Sequence, residues 1–213
     1  MSQENVMLKI YGCPRTRSTR ATWALEEAGV EYAYLMVDLK KGEGHAPSYL
    51  EINPAGKVPA LVDGDLVLTE SAAIVTYIGE KYPASQLVPT ELHPRAEYFQ
   101  WSAFAIAELE QPLWTLAKHR FALPQELRLP AIEPTALWEF AKAAKVLHRH
   151  LEGRDYVAGN QFSGADIMIG HTLSWARINQ IPWGSEVIDA YADRILARPA
   201  LAIARQREQG QGR

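Results

Sequence analysis

The chain has 213 residues, a net charge of -3 at neutral pH, and basic and acidic residues mixed along its whole length. This charge pattern excludes the one-sided basic surface of a protein that binds nucleic acid or membranes, so we expect neither partner. The single cysteine, Cys13, excludes an internal disulfide and a cysteine-rich zinc site, and no metal site is predicted. The start of the sequence has no signal-peptide pattern, and no run of ~20 apolar residues could span a membrane, which favours a cytoplasmic location.

The first part of the chain alternates between strand and helix patterns. Residues 7–11 predict a strand, 18–28 predict a helix that Gly29 ends, and the alternating side chains of 31–37 predict a second strand. A strand, a helix and a strand in this order predict a parallel pair of strands. The glycines and the proline within residues 38–52 predict a loop with one helical turn.

A β-hairpin and a helix are predicted next. Residues 59–62 and 66–69 have the composition of strands, and Asp63-Gly64-Asp65 between them is typical of a hairpin turn. Residues 71–82 then carry apolar side chains at helical spacing.

Only helical patterns follow the proline-rich residues 83–94, which predict a linker between domains. The first helix is expected over 97–116 with a kink at Pro112, and the second over 134–151. A third begins at Ser163, because a serine followed three residues later by an acidic residue is typical of a capping box. The polar residues after Arg205 predict a frayed tail.

The segment 53–74 combines several features of a ligand-binding site. If the Val58-Pro59 peptide bond is cis, the backbone of Val58 is turned outward, where it can pair with a peptide-like molecule as an extra strand would. Glu70 and Ser71 then open a helix whose free N–H groups and positive dipole end attract a carboxylate. The segment therefore predicts a site for a small, anionic, peptide-like ligand.

These motifs, in this order and spacing, resemble the cytosolic glutathione S-transferase family in its bacterial form. The resemblance rests on NP-x-GKVP at 53–59, the hairpin, the Glu70-Ser71 pair and GADI at 164–167, and it covers nearly the whole chain. It implies an α/β thioredoxin-like glutathione-binding domain over 1–83, a linker over 84–90, and an all-α helical-bundle domain over 91–213.

The same resemblance implies a cytoplasmic detoxification enzyme that acts as a homodimer. Its expected reaction conjugates the thiol of reduced glutathione, the co-substrate, to small electrophiles. The alternatives are a glutathione-dependent peroxidase, isomerase or dehalogenase, or a homologue that binds glutathione with little turnover. A thioredoxin-type disulfide enzyme is disfavoured, because Cys13 has no partner cysteine.

By this resemblance, Ser71 would hold the γ-glutamyl carboxylate through its N–H and hydroxyl, with Glu70 facing the amine. Val58, held by the bond to Pro59, would pair with the cysteinyl backbone. The alternatives are that Ser71 only caps its helix and that the side chain of Val58 belongs to the core.

Two cationic residues are candidates for the glycyl carboxylate. Lys57 directly follows the Asn-Pro-x-Gly turn, and His45 lies in the preceding loop. The alternative for each is an exposed surface side chain.

The loop after the first strand, YGCPRTRSTRATW, would face the thiol. Members of the family use Tyr, Ser or Cys there. Alignment with the serine pattern places Thr16 at the hydroxyl position, so Thr16 is the first candidate for the catalytic residue, with Ser18 and Cys13 as alternatives. Tyr11 is expected to end the strand. A hydroxyl in this position would donate a hydrogen bond to the thiolate, because its own pKa is too high for a base.

Three arginines, Arg15, Arg17 and Arg20, make this loop positive, which would favour a thiolate and an anionic tripeptide. The alternative is that they lie on a solvated helix start or at a subunit contact. The acceptor pocket is expected along the long helix of the second domain, where five side chains recur every three or four residues. They could equally pack in the interior or at the dimer contact, and they are Glu108, Gln111, Trp114, Thr115 and His119.

Overall fold

A computed structural model describes residues 7–210 of the chain. The described residues form two compact units. The first runs to Val88 and resumes at Ala197, while the second spans Pro89–Leu196. The chain thus returns to its first unit at the end. The division into domains at residues 84–90 stays a prediction.

The nine helices of the described residues are α1 (Ser18–Glu27), α2 (Pro47–Leu50), α3 (Ser71–Lys81), α4 (Leu92–Phe104), α5 (Gln111–Ala117), α6 (Glu133–Leu151), α7 (Gly164–Ile178), α8 (Glu186–Leu196) and α9 (Pro199–Glu208). The strands are β1 (Leu8–Gly12), β2 (Tyr32–Met36), β3 (Ala60–Asp63) and β4 (Leu66–Thr69). Within the described part of the chain, no helix is both long enough and apolar enough to cross a membrane.

The first unit is built on a four-stranded mixed sheet in the order β2-β1-β3-β4. β1 and β2 are parallel, as the strand-helix-strand pattern predicted, and β3 is antiparallel to both β1 and β4. The predicted hairpin is also confirmed, with Gly64 at a φ of 60° in its turn. The predicted loop over 38–52 contains two 3₁₀ turns as well as α2.

Helices α1, α3 and α9 complete the first unit. α1 packs against both α3 and α9, and their fully buried side chains include Trp23, Leu25, Ile74 and Ile78. The prediction of a frayed tail after Arg205 was wrong for the residues up to 208. They are helical because the polar side chains at the end of α9 find partners on α1 rather than in water.

The second unit is helical throughout. The predicted helix over 97–116 begins earlier, at Leu92, and is divided by a π-helical turn at Ala105–Glu110. Pro112 lies two residues after that turn. It has no N–H to donate to the preceding turn, so the site of the predicted kink coincides with a local change of hydrogen-bond register. A second π-helical turn, Lys118–Ala122, ends this stretch.

The capping box at the start of α7 is confirmed. The Asp166 carboxylate accepts hydrogen bonds from the Ser163 N–H at 2.8 Å and from the Tyr191 hydroxyl at 2.8 Å. Burial raises the pKa of Asp166 to about 6, although these bonds oppose the rise. The box therefore fastens the start of α7 inside the core of the second unit.

Candidate functional site

The register of the sheet brings three of the predicted site segments to one end. Tyr11 pairs with Ala60, and Ala60 pairs with Thr69, so these three residues lie side by side across β1, β3 and β4. The loop after β1, the residues before β3 and the start of α3 therefore all leave the same end of the sheet. Residues distant in sequence meet here because β3 is antiparallel to both neighbours.

The loop after β1 closes into a ring of hydrogen bonds. The N–H of Cys13 donates to Ser18 Oγ at 3.2 Å, and the Oγ atoms of Ser18 and Thr16 are 2.9 Å apart. The Thr16 hydroxyl donates to the C=O of Cys13 at 2.6 Å. Since the Thr16 hydroxyl donates its proton to this carbonyl, the Ser18 hydroxyl is the donor in the pair with Thr16. Each of the two hydroxyl groups therefore donates one hydrogen bond within the ring.

Accessibility separates the three catalytic candidates. Ser18 is 0% exposed, whereas Thr16 and Cys13 are partly exposed. Thr16 Oγ1 also accepts the N–H of Ser18 at 3.2 Å, so two donors point at one oxygen. Hydrogen bonds that enter a hydroxyl oxygen polarise it and strengthen the bond it donates. Thr16 is thus the accessible donor of the ring, and Ser18 is the buried residue that orients it.

Gly12 and Arg15 shape this loop. A side chain at Gly12 would bring its Cβ within 2.8 Å of the Tyr34 ring and 2.9 Å of Ser18 Cβ, so only glycine allows α1 to approach β1 so closely. Arg15 takes a φ of 61°, in the left-handed region, and its side chain is exposed. Burial raises the pKa of Tyr34, so this phenol stays protonated and cannot act as a base.

The turn before β3 is held by bonds to a single carbonyl. The C=O of Lys57 accepts from the Tyr49 hydroxyl and from Asn53 Nδ2, both at 2.6 Å. The Val58-Pro59 peptide bond that follows is cis. Neither the N–H nor the C=O of Val58 has a hydrogen-bond partner within residues 7–210. These two groups remain able to pair with an extended peptide backbone.

The two cationic candidates lie beside this turn. A Cβ at Gly56 would be 3.1 Å from the His45 ring, so His45 lies against the residue that precedes Lys57. Both His45 and Lys57 are exposed. The structure therefore places His45 next to the residue that precedes Lys57, although the sequence separates the two cationic residues by twelve positions, and their role in binding a carboxylate stays a prediction.

The start of α3 has an unusual geometry. Glu70 occupies the N-cap position with a φ of 66° and an exposed side chain, while Ser71 is buried as the first helical residue. Ser71 is thus not the cap of its helix. Its Oγ accepts a hydrogen bond from Arg20 Nη1 at 3.2 Å, and Arg20 is 1% exposed. A non-glycine residue held at positive φ is a local strain that often accompanies a binding site.

Sequence reasoning gave Arg20 no specific role, because it grouped this side chain with the exposed arginines of the loop. It is buried, and it lies beneath the predicted carboxylate site. The signal available in the sequence was weak: a cation at the start of a helix opposes the helix dipole and therefore needs a local reason.

The five residues predicted for the acceptor pocket belong to the second unit. Glu108 and Gln111 are exposed, and the remaining three are partly exposed. The ring of His119 accepts the N–H of Leu129 at 3.1 Å. The two π-helical turns change the side-chain spacing of this stretch, and its role as a pocket stays a prediction. The described residues hold no cluster of three or more His, Cys, Asp or Glu side chains suited to a metal ion.

Comparison with known proteins agrees with this arrangement of sheet, cis-proline turn and helix start. Residues 6–80 match the family model of the glutathione S-transferase N-terminal domain, and residues 117–199 match that of the C-terminal domain. A zeta-class glutathione S-transferase from Euphorbia esula is 37% identical over 76% of this chain and 72% of its own length.

Similarity also extends over the full chain. Glutathione S-transferase GST-4.5 from Xanthomonas campestris pv. campestris is 32% identical over 94% of this chain and 98% of its own. The crystal structure of a glutathione transferase homologue from sulfitobacter, with bound glutathione, has a TM-score of 0.83 at 27% identity and covers 97% of this chain and 99% of that one.

The fold defines a thioredoxin-like unit and a helical unit, with a cis-proline turn before the third strand of the sheet. The chain belongs to the glutathione S-transferase family. It is accordingly an enzyme with glutathione transferase function, in a family that uses glutathione.

Proposed function

We propose that the enzyme conjugates the thiol of reduced glutathione to small electrophiles, with Thr16 as the residue that stabilises the thiolate. The observation that carries this proposal is the ring of hydrogen bonds through Cys13, Ser18 and Thr16. The Thr16 hydroxyl is the accessible hydroxyl of this ring. It lies at the same end of the sheet as the backbone N–H and C=O of Val58.

The residues around this hydroxyl fit a tripeptide with a carboxylate at each end. The free N–H and C=O of Val58, next to Pro59, pair with the cysteinyl backbone. Ser71 receives the γ-glutamyl carboxylate at the start of α3, where the helix dipole and the guanidinium of Arg20 are both positive. Glu70 is exposed beside it and suits the γ-glutamyl amine. Lys57 and His45 receive the glycyl carboxylate.

One hydroxyl group can supply most of the free energy that is needed to lower the pKa of the glutathione thiol. Glutathione supplies a thiol with a pKa of about 8.5, whose anion is the nucleophile. Lowering that pKa by ~2 units takes ~2.7 kcal/mol of stabilisation of the anion. A hydrogen bond to a charged acceptor contributes ~1.5–3 kcal/mol, and a nearby helix N-terminus adds ~0.3–1 kcal/mol. Together these two effects are sufficient.

Two hydrogen bonds from Ser18 orient the hydroxyl group of Thr16. The Thr16 proton lies on the C=O of Cys13 at 2.6 Å, while the N–H and hydroxyl of Ser18 occupy the acceptor side of Oγ1. When an anion is at hand, the Thr16 proton can turn from the carbonyl to that anion without breaking either bond from Ser18. The hydroxyl thus stays oriented as it changes partner.

One observation favours the second candidate, a homologue that binds glutathione with little turnover. The short bond from Thr16 to the Cys13 carbonyl competes directly with a bond to sulfur. If the carbonyl keeps the proton, glutathione binds without becoming more acidic.

Several finer features belong to the same proposal. We infer a homodimer with a detoxification role in the cytoplasm, a domain division at 84–90, and an acceptor pocket lined from Glu108 to His119. The family resemblance and the exposure of these side chains support this inference.

Steady-state conjugation of an activated aryl halide tests the proposed role of Thr16. Thr16→Val keeps the shape and removes the hydroxyl, and it should lower kcat/KM by about 10- to 100-fold, the equivalent of one charged hydrogen bond. Thr16→Ser, the matched control, should retain most of the activity. Equal activity in Thr16→Val and the wild type would reject this role.

A further inference from the structure

Glu208, the last residue of α9, has a buried carboxylate that reaches the helix of the proposed active site. The residue is 5% exposed. Its Oε2 accepts from the Thr19 hydroxyl at 2.9 Å, and its Oε1 accepts from the Thr22 hydroxyl at 2.8 Å. A carboxylate nearly out of water needs such partners, and both come from one face of α1.

The first turn of α1 lacks the acidic side chain that stabilises many helix starts. Its N-cap, Arg17, makes no side-chain capping bond, and the first turn contains no acidic residue. The nearby charged side chains of the turn and the loop before it are arginines, which oppose the helix dipole. Glu208 therefore brings to this part of α1, from a different helix, an acidic side chain that the turn does not have in its own sequence.

This anchor lies next to the hydroxyl ring. Thr19 directly follows Ser18, and Ser18 orients Thr16 through its N–H and its hydroxyl. The bonds from the Thr19 and Thr22 hydroxyls to Glu208 fix the position of the first turn of α1 relative to α9. They thereby also fix the direction in which the Ser18 side chain points.

We propose that Glu208 is a positioning residue for thiol activation, acting through Thr19 and Thr22 to hold the first turn of α1 in place so that the Thr16 hydroxyl is aimed at the sulfur. This inference rests on the proposed role of Thr16. It assigns to a residue of α9 a role in positioning the Thr16 hydroxyl, which lies in the loop between β1 and α1.

A matched control is available on the same pair of helices. Arg198 binds the Glu27 carboxylate through Nε and Nη2, both at 2.6 Å, and so joins α9 to the other end of α1. Its removal loosens the same helix pair without touching Thr19 or Thr22. A purely structural role for Glu208 therefore predicts that the two variants behave alike.

The experiment compares Glu208→Ala, Glu208→Gln and Arg198→Ala. The readouts are the pKa of bound glutathione from thiolate absorbance, kcat and KM, and amide hydrogen exchange of 18–22 without glutathione. Glu208→Ala should raise the bound-thiol pKa, speed exchange, and lower kcat on the order of 10-fold, below the ~100-fold that an ångström-scale misplacement can cause. Its KM for glutathione should change little.

Glu208→Gln keeps one acceptor and the shape, so it should recover part of kcat. Arg198→Ala should lower the melting temperature and leave the bound-thiol pKa at the wild-type value. An unchanged thiol pKa in Glu208→Ala, or an equal rise in Arg198→Ala, would overturn the proposal.

If Glu208→Ala does not fold, Thr19→Val removes one bond to the carboxylate with little change in volume, and the same rise in thiol pKa is expected. Thr16→Val measured alongside separates the two proposals. No effect of Thr16→Val would reject the proposed function. An effect of Thr16→Val with none from Thr19→Val would reject only the role of Glu208.

Discussion

Arg20 donates a hydrogen bond from Nη1 to the hydroxyl oxygen of Ser71 across 3.2 Å, in the interior of the first unit. The bond joins α1 to the first residue of α3. A buried guanidinium and the N-terminal end of a helix dipole thus act at the same point. Both favour an anion, so binding of a carboxylate at this point would offset the unfavourable position of an arginine in the first turn of α1.

Removal of the Arg20 charge should weaken glutathione binding. Arg20→Met preserves much of the aliphatic volume and deletes the guanidinium, so the dissociation constant should rise by about 10- to 100-fold, as for a lost charged hydrogen bond. Titration calorimetry measures it, with Arg15→Met as the control, because Arg15 is exposed on the loop before α1. Similar affinities in Arg20→Met and the wild type would contradict this reading of the buried arginine.

Ser71→Ala should weaken binding without changing the acidity of the bound thiol. Ser71 is the first helical residue and Glu70 holds the N-cap position, so loss of the hydroxyl leaves the helix cap in place. We expect affinity to fall by about 5- to 10-fold, equivalent to ~1 kcal/mol for one hydrogen bond, and the protein to fold with a lower melting temperature, because the buried Arg20 loses an acceptor. Loss of folding in this variant would show instead that Ser71 serves the helix alone.

Lys57 and His45 should contribute to affinity in a manner that depends on salt. Both side chains are exposed beside Gly56, where ion pairs are screened, so Lys57→Ala should weaken binding only by about 2- to 5-fold, or ~0.5–1 kcal/mol. The loss should shrink as salt rises. Lys40→Ala, an exposed cation of the preceding loop, is the control. A double-mutant cycle with His45→Ala should show coupling if both residues hold one carboxylate.

Glu208 should make the protein less stable as the pH rises from about 4.5 to about 7. Burial raises its pKa from 4.5 to about 7, while the bonds from Thr22 and Thr19 and the charge of Arg205 oppose this rise. The folded state therefore holds a proton that the unfolded state has released, and the free energy of unfolding falls through this window. The difference in pKa corresponds to about 3 kcal/mol, at 1.36 kcal/mol per unit.

Urea unfolding of the wild type and Glu208→Gln at several pH values isolates this contribution. The stability of the wild type relative to the variant should decline between pH 4.5 and 7 and level off above. A constant difference across that range would show that the carboxyl titrates normally in the folded protein.

The elements that the sequence predicted well are those whose signals are local. The Asp63-Gly64-Asp65 turn and the Ser163 to Asp166 capping box need only adjacent residues, and both are confirmed. The parallel pair of β1 and β2 follows from the order of the elements. The candidate glutathione site could be proposed for the same reason, because its motif lies within residues 53–74, and its role in binding stays a prediction.

The contacts that were missed join residues far apart in the sequence. Arg20 and Ser71 are 51 positions apart, and Thr19 and Glu208 are 189 apart. Before the fold is known, a buried arginine and a buried glutamate look like surface charges, since burial is decided by the partner helix. The π-helical turn before Pro112 was missed because a proline signals a break without fixing its geometry.

The catalytic loop was predicted only as a set of alternatives. Its sequence offers Cys13, Thr16 and Ser18 within six residues, and periodicity does not separate them. The three candidates are distinguished by their burial and by the direction of three hydrogen bonds. Both depend on how closely Gly12 lets α1 approach β1.

In the proposed mechanism, the Thr16 hydroxyl lowers the pKa of bound glutathione. The most direct test is a titration of thiolate absorbance against pH for the glutathione complexes of the wild type and of Thr16→Val. We expect a pKa at least one unit below that of free glutathione in the wild type, and a return toward the free value in Thr16→Val. Tight binding with an unshifted pKa in the wild type would contradict it.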